Sequence, residues 1–201
     1  MRIPAPARAA MPRLGEASRT ARIVLLNGPG SVGKSSVARA MQTIARRPLL
    51  HVAMDTFLDM LPETYADHPD TFRFTTRQEF GHSYTEVERG PVGSALMAAM
   101  RRSVAALAAE GLDLVVDDVW LDGEPDDYRA LLSGHFVTRV GLSAPLDVLE
   151  AREAARGDRL PGLSRAQVGR VNEGVAYDLM LDMGQLTPEA AAHRIVAAAG
   201  L

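Results

Sequence analysis

The chain has 201 residues, a formal net charge of −3 and no cysteine, which suits one globular domain and excludes disulfides, thiolate catalysis and thiolate-held zinc. A pI near 6.0 leaves no overall basic footprint for nucleic acid, and no apolar run approaches the ~18 residues needed to span a bilayer. These features predict a cytoplasmic protein whose partners are small molecules, with neither nucleic acid nor membrane among them; its oligomeric state stays open, a homo-oligomer included.

Residues 1–20 carry Arg2, Arg8, Arg13 and Arg19 among Ala and Pro, with Glu16 the one acid. Without an apolar h-region this is not a secretory signal. It reads as a disordered N-terminal tail, or as an upstream start with Met11 the alternative initiator, and it resembles a transit peptide less well. One folded domain is expected over 21–201.

Arg22-Ile-Val-Leu-Leu-Asn27 is short, apolar and β-branched, the mark of a strand buried on both faces. It runs into Gly28, Pro29, Gly30, Ser31, Val32, Gly33, Lys34 and Ser35, the G-x-x-x-x-G-K-[ST] pattern of a phosphate-binding P-loop, followed by Ser36 and a helix predicted over 35–47. Of the 22 Lys plus Arg residues, 21 are arginine, and the single lysine is Lys34. A chain that uses arginine for every other positive charge keeps lysine where a compact ammonium must reach between phosphates in a tight loop. The loop N–H groups and the helix start would face those phosphates, and the Ser35 hydroxyl would ligate Mg²⁺.

Beyond the loop, strand and helix signals alternate, which predicts βαβ units and a parallel sheet. Further strands are expected at Leu49–Met54, Leu112–Asp117, Phe136–Leu142 and Tyr177–Asp182, and helices at 93–110, 125–133, 145–156, 164–175 and 188–199. Ser143 and Thr187, ahead of Pro145 and Pro188, mark helix starts, and Gly111 follows the end of the long helix.

In open parallel sheets ligands bind at the carboxyl ends of strands. Asp55 follows the second strand, where it serves either as a helix N-cap or as a general base for a substrate hydroxyl. Asp117, ending an apolar run, is a candidate Mg²⁺ ligand in the manner of a Walker B acid, while Asp118 either caps a turn or faces substrate. Arg152 and Arg156, four apart on one helical face, and Arg159 beyond Gly157 read either as surface ion pairs or as a lid that brings cations over ATP.

Together N-G-P-G-S-V-G-K-S, M-D-T-F, V-V-D-D-V-W-L, E-A-R-E-A-A-R-G-D-R and V-N-E-G-V-A-Y-D-L-M-L-D, spread from about Ile23 to Val196, resemble the chloramphenicol phosphotransferase-like branch of the nucleoside-monophosphate-kinase-type P-loop kinases. That resemblance implies an α/β fold with a five-stranded parallel sheet in order 2-3-1-4-5. It also implies transfer of the ATP γ-phosphoryl group to a hydroxyl of a small molecule, with chloramphenicol or a similar antibiotic the leading acceptor and resistance a candidate role. Asp55 matches the family base, and Arg152 and Arg156 fall in its lid.

The resemblance weakens between Pro62 and Gly93, where Phe72-Arg-Phe-Thr-Thr and His82-Ser-Tyr-Thr-Glu-Val alternate like a β-hairpin able to cap an acceptor pocket. Its aromatics are expected to pack a local core. The five histidines, His51, His68, His82, His135 and His193, show no metal spacing and read as structural or exposed. Two other classes stay open. One is a metabolic kinase for an anionic acceptor such as a nucleoside monophosphate, which would need Arg73, Arg77 or Arg89. The other is a nonenzymatic ATP-binding regulator. An ordinary GTPase is excluded, because its guanine-reading N-K-x-D motif needs a second lysine.

Overall fold

The computed structural model describes residues 20–201 apart from 122, 124, 158 and 159, and without the side chain of Asp126. The expected N-terminal tail therefore lies almost wholly outside the described residues, as does Arg159. Five parallel strands, β1 (Arg22–Asn27), β2 (Leu49–Ala53), β5 (Asp113–Asp118), β6 (Phe136–Ser143) and β7 (Leu179–Asp182), form one sheet in the order β2-β5-β1-β6-β7. Counted along the sheet strands alone, this is the expected 2-3-1-4-5.

The central strand alternates between two cores. Val24 and Leu26 pack with Val37 and Met41 of α1 (Lys34–Ile44), Leu149 of α5 (Leu146–Arg156) and Ile195 of α7 (Pro188–Ala199). Ile23 and Leu25 face the opposite way, onto Met100 and Val104 of α3 (Pro91–Ala109) and Tyr128 of α4 (Asp126–Leu131). With both faces covered, β1 must be apolar throughout, and truncating Leu25 to Ala would cost about 2–5 kcal/mol.

The remaining elements are α2 (Met54–Leu58), a 3₁₀ turn at Glu63–Tyr65, the hairpin strands β3 (Phe72–Glu79) and β4 (His82–Arg89), and α6 (Leu163–Val168). The hairpin forms where the alternation placed it, closed by Phe80 and Gly81 with φ of 49° and 81°, left-handed angles that suit a tight hairpin turn. Thr187 caps α7, its Oγ1 accepting from the Ala190 N–H at 3.2 Å.

Several expected limits move. Met54 opens α2 instead of closing β2, and Ser143 stays in β6 while Pro145 occupies the cap of α5. The helix expected over 164–175 stops at Val168. Gly169 ends it, and Gly174 turns left-handed at φ 68°. Tyr177 precedes β7, and its hydroxyl and the Val171 carbonyl both accept hydrogen bonds from Asn27 Nδ2, tying the chain after α6 to the end of β1. No helix among the described residues is long and apolar enough to cross a membrane.

Candidate active site

The loop between β1 and α1 is fixed by two glycines. A Cβ on Gly28 would lie 2.6 Å from the Leu142 carbonyl oxygen of β6, so only glycine permits that approach. Gly33, at the cap of α1, has φ 101°, a left-handed angle that side chains resist. The loop thus wraps back over the start of α1, and Lys34 turns inward. Its Nζ donates to the carbonyls of Gly28 (2.9 Å) and Pro29 (3.1 Å) and stands 3.9 Å from Asp117 Oδ1.

Asp117, the penultimate residue of β5, lies level with Leu26 of β1 and Ala53 of β2. Its Oδ2 accepts a 2.6 Å hydrogen bond from Ser35 Oγ. Burial pushes the Asp117 carboxyl up, yet the nearby His51 imidazole, the Lys34 ammonium and the Ser35 hydroxyl outweigh burial and hold it below the usual carboxylate range. His51 stands beside this carboxylate. It lies on β2, its Nε2 is buried 3.7 Å from Asp117 Oδ2, and that atom has no hydrogen-bond partner among the described residues. At this separation the contact is not a direct hydrogen bond.

Asp118 takes the structural role. Its Oδ2 accepts from Trp120 Nε1 (2.9 Å) and Tyr128 Oη (3.1 Å), and its Oδ1 from the Val119 N–H (2.8 Å), all on the α3 and α4 side of the sheet.

A cavity of about 970 Å³ opens above these strand ends, and it is lined along one side by Gly30 to Ser36 together with Asp117. That volume lies at the upper end of the roughly 300–1,000 Å³ seen for small-molecule sites. Asp55 lines it from the first turn of α2, whose cap is Ala53, so Asp55 is not the N-cap of its helix. Apolar side chains from α2 to Leu121 cover the same region, among them Met54, Leu58, Phe72, Phe74, Val87 and Met97. Phe72 and Phe74 thus line the cavity, whereas the sequence suggested that the hairpin aromatics pack a small local core. Of Arg73, Arg77 and Arg89, only Arg89 lines the cavity; Arg77 pairs with Glu79 and Glu86 at 2.7 Å each.

Arg152 and Arg156 line the cavity from α5, which ends at Gly157 with φ 69°. Arg152 reaches across to the Met183 carbonyl (2.9 Å) and the Val32 carbonyl (3.5 Å), and Glu150 pairs with Arg165 at 2.7 Å. Sequence reasoning placed a helix here but missed its part in the site. Gln167 Oε1 accepts from the Gly30 N–H at 2.7 Å, and Ser164 Oγ donates to the Gly30 carbonyl at 3.1 Å. No motif marks a residue 137 positions from its partner.

Lys34, Ser35, Asp117, Asp55, Arg152 and Arg156 thus share one cavity, as the sequence suggested. A family model described as chloramphenicol phosphotransferase-like protein matches residues 21–199. The chain belongs to that family. It is 30% identical over 167 residues to a protein of Mycobacterium tuberculosis (strain ATCC 25618 / H37Rv) with the provisional name O-phosphotransferase Rv2636, covering 80% of this chain and 74% of the relative. Its fold is similar to the tunicamycin resistance protein of Deinococcus radiodurans (TM-score 0.60, 19% identity, 90% of this chain and 96% of the other). It is also similar to the APS kinase CysC of Mycobacterium tuberculosis, solved with AMPPNP and APS (TM-score 0.55, 17% identity, 91% and 99%). Family and kinase neighbours together support an enzyme of the phosphotransferase type on a P-loop kinase fold.

Proposed function

We propose that this protein is an ATP- and Mg²⁺-dependent O-kinase that phosphorylates a hydroxyl of a largely apolar small molecule, with chloramphenicol or a similar antibiotic alcohol the first acceptor to try. The observation that carries this reading is the single cavity in which a P-loop and the Asp55 carboxylate face a common space, the latter among apolar walls. A hydroxyl acceptor needs a base, a donor phosphate needs a cradle, and transfer needs both beside one water-poor volume.

The metal's donor set fits magnesium. The Ser35 hydroxyl and the Asp117 carboxylate are hard oxygen ligands 2.6 Å apart, the carboxylate is held ionised, and the buried, unpartnered His51 Nε2 stands ready for a polar neighbour such as an ordered water. Magnesium takes few protein ligands and keeps several of its waters, so two protein oxygens suffice. When bound, Mg²⁺ would neutralise charge on the β- and γ-phosphate oxygens.

The chain's own groups do the rest. The loop N–H groups hold the phosphates, and Lys34 leaves the Gly28 and Pro29 carbonyls to bridge the β- and γ-phosphates. Asp55 takes the proton of the acceptor hydroxyl as its oxygen bonds the γ-phosphorus and the bond to the ADP oxygen breaks, giving ADP, the phosphate ester and a protonated Asp55 that releases its proton to water. Arg152 and Arg156 offset charge on the moving phosphoryl group.

A metabolic kinase for an anionic acceptor is the second reading, favoured by Arg89 on the cavity wall. One screen separates the two. Purified protein with Mg·ATP is offered antibiotics, nucleosides, sugars and hydroxy acids, and ADP formation is read. Turnover with neutral antibiotic alcohols supports the first reading, turnover confined to anionic acceptors supports the second, and nucleotide binding without turnover on any acceptor points to a regulator.

A further inference from the structure

Gln167 is only 7% exposed, yet it lines the cavity. Its carboxamide orientation follows from hydrogen-bond chemistry. The Gly30 N–H can only donate, so the Gln167 atom 2.7 Å away must be the oxygen, and the NH₂ group must be the end turned from the P-loop. Among the described residues that NH₂ makes no hydrogen bond, although the neighbouring polar groups of α6 are matched. Ser164 Oγ donates to the Gly30 carbonyl, and the Leu163 N–H donates to Glu153 Oε1 at 3.1 Å. A nearly buried amide with one end fixed and two donors left over is held in place for an acceptor that comes from outside.

The position says which acceptor. Gly30 directly follows Gly28 and Pro29, whose carbonyls hold the Lys34 ammonium, and the P-loop lysine is the group that reaches the β- and γ-phosphates. Gln167 therefore stands at the γ end of the loop. It is also braced from the acceptor side. Thr85 of β4, fully buried, donates its hydroxyl to the Pro161 carbonyl (2.7 Å) and its N–H to the Gly162 carbonyl (3.1 Å), immediately ahead of α6.

Resting on the kinase reading above, we propose that the Gln167 NH₂ donates to an oxygen of the nucleotide's γ-phosphate, so that this residue distinguishes ATP from ADP. The same contact holds the phosphoryl group in line for transfer.

Isothermal titration of the full chain with Mg·AMPPNP and with Mg·ADP tests this, using Gln167→Met, which keeps length and removes both ends of the amide, and Gln167→Glu, which keeps an acceptor for Gly30 and replaces the donors by charge. Losing one donor to a charged acceptor weakens binding roughly 10-fold. Gln167→Met should therefore bind AMPPNP about 10-fold more weakly with ADP changed less than about 3-fold, and Gln167→Glu should lose more AMPPNP affinity still while retaining ADP. Equal losses for both nucleotides, or no loss for either, overturn the assignment and reduce Gln167 to a prop for the loop. A wild-type protein that binds neither nucleotide overturns the kinase reading and this inference with it, whereas wild-type binding of both with an equal loss in the variants overturns this inference alone.

Discussion

Asp117 and Asp118 are chain neighbours whose side chains serve opposite faces of the sheet. Asp117 accepts from Ser35 on the α1 side, and Asp118 accepts from Trp120 and Tyr128 on the α3 and α4 side. Strand periodicity requires this, because successive residues of β5 alternate: Val115 packs with the first core, and Leu114 and Val116 pack with the second. One acid is thereby available to a metal, while the other is enclosed as an acceptor for three donors.

The two acids should respond differently to the same change. Asp117→Asn is expected to lower Mg²⁺-dependent turnover roughly 10²-fold or more with the fold intact, as loss of a positioned charge at a phosphoryl-transfer site does. Asp118→Asn replaces one acceptor oxygen by an NH₂ that faces donors, so it should cost about 1–3 kcal/mol of stability and leave turnover per folded molecule near normal. Chemical denaturation and steady-state kinetics on both variants check the split; equal effects on turnover would show that both acids serve the site.

Tyr128 gives a pH dependence of known sign. Burial, then the Asp118 charge beside it, raises its hydroxyl well above the ordinary tyrosine range. A raised folded pKa means that the neutral form is favoured in the fold, so this stabilisation is complete below pH ~10 and declines as pH rises toward the folded value. With one lysine and four tyrosines in the chain, few other groups titrate in that range. Thermal unfolding between pH 8 and 11 should fall steeply for the native protein and more gently for Tyr128→Phe, which starts lower by about 1 kcal/mol for the lost hydrogen bond. Parallel slopes would remove Tyr128 from the alkaline transition.

Much of the site was legible in the sequence because it is local. Strand, glycine loop and helix are consecutive, so Gly28, Gly33, Lys34 and Ser35 follow from spacing alone, and the apolar run into Asp117 marks the adjacent strand. What the sequence hid is long-range or set by parity. Nothing in a strand buried on both faces says whether Asp117 or Asp118 turns to the P-loop. His51 and Gln167 reach the site by strand register and by the placement of a six-residue helix, and neither carries a periodic signature. The hairpin was legible from its alternation, but the part of Phe72 and Phe74 in the cavity wall depended on how it docks.

Asp55 is expected to act on the proton alone. Because Ala53 caps α2, Asp55→Asn removes no cap; it leaves the helix intact and keeps the volume of the side chain. Nucleotide affinity should change by less than about 3-fold, while transfer to the acceptor found in the screen should fall roughly 10²- to 10⁴-fold. A variant with native turnover would leave Asp55 as a favourable charge at a helix start.

Lys34 tests the loop itself. With its Nζ buried against the Gly28 and Pro29 carbonyls and 3.9 Å from Asp117, the lysine has partners within the protein itself. Lys34→Arg keeps the charge but inserts a planar, broader group into a slot shaped for an ammonium, next to a loop that Leu142 and Gln167 hold from two sides. Some loss of stability is therefore expected, of the order of 1–3 kcal/mol for overpacking. The larger effect should be on function, because a guanidinium too wide to turn between the β- and γ-phosphates misplaces the group to be transferred, and small misplacements cost about 10²-fold in rate. Thermal unfolding with and without Mg·ATP, alongside turnover, separates these effects. The expected result is a modestly lower Tm, little or no added stabilisation by ATP, and turnover reduced at least about 100-fold. Full ATP stabilisation with native turnover would mean that charge alone suffices at position 34, and the reason for the chain's single lysine would have to be sought elsewhere.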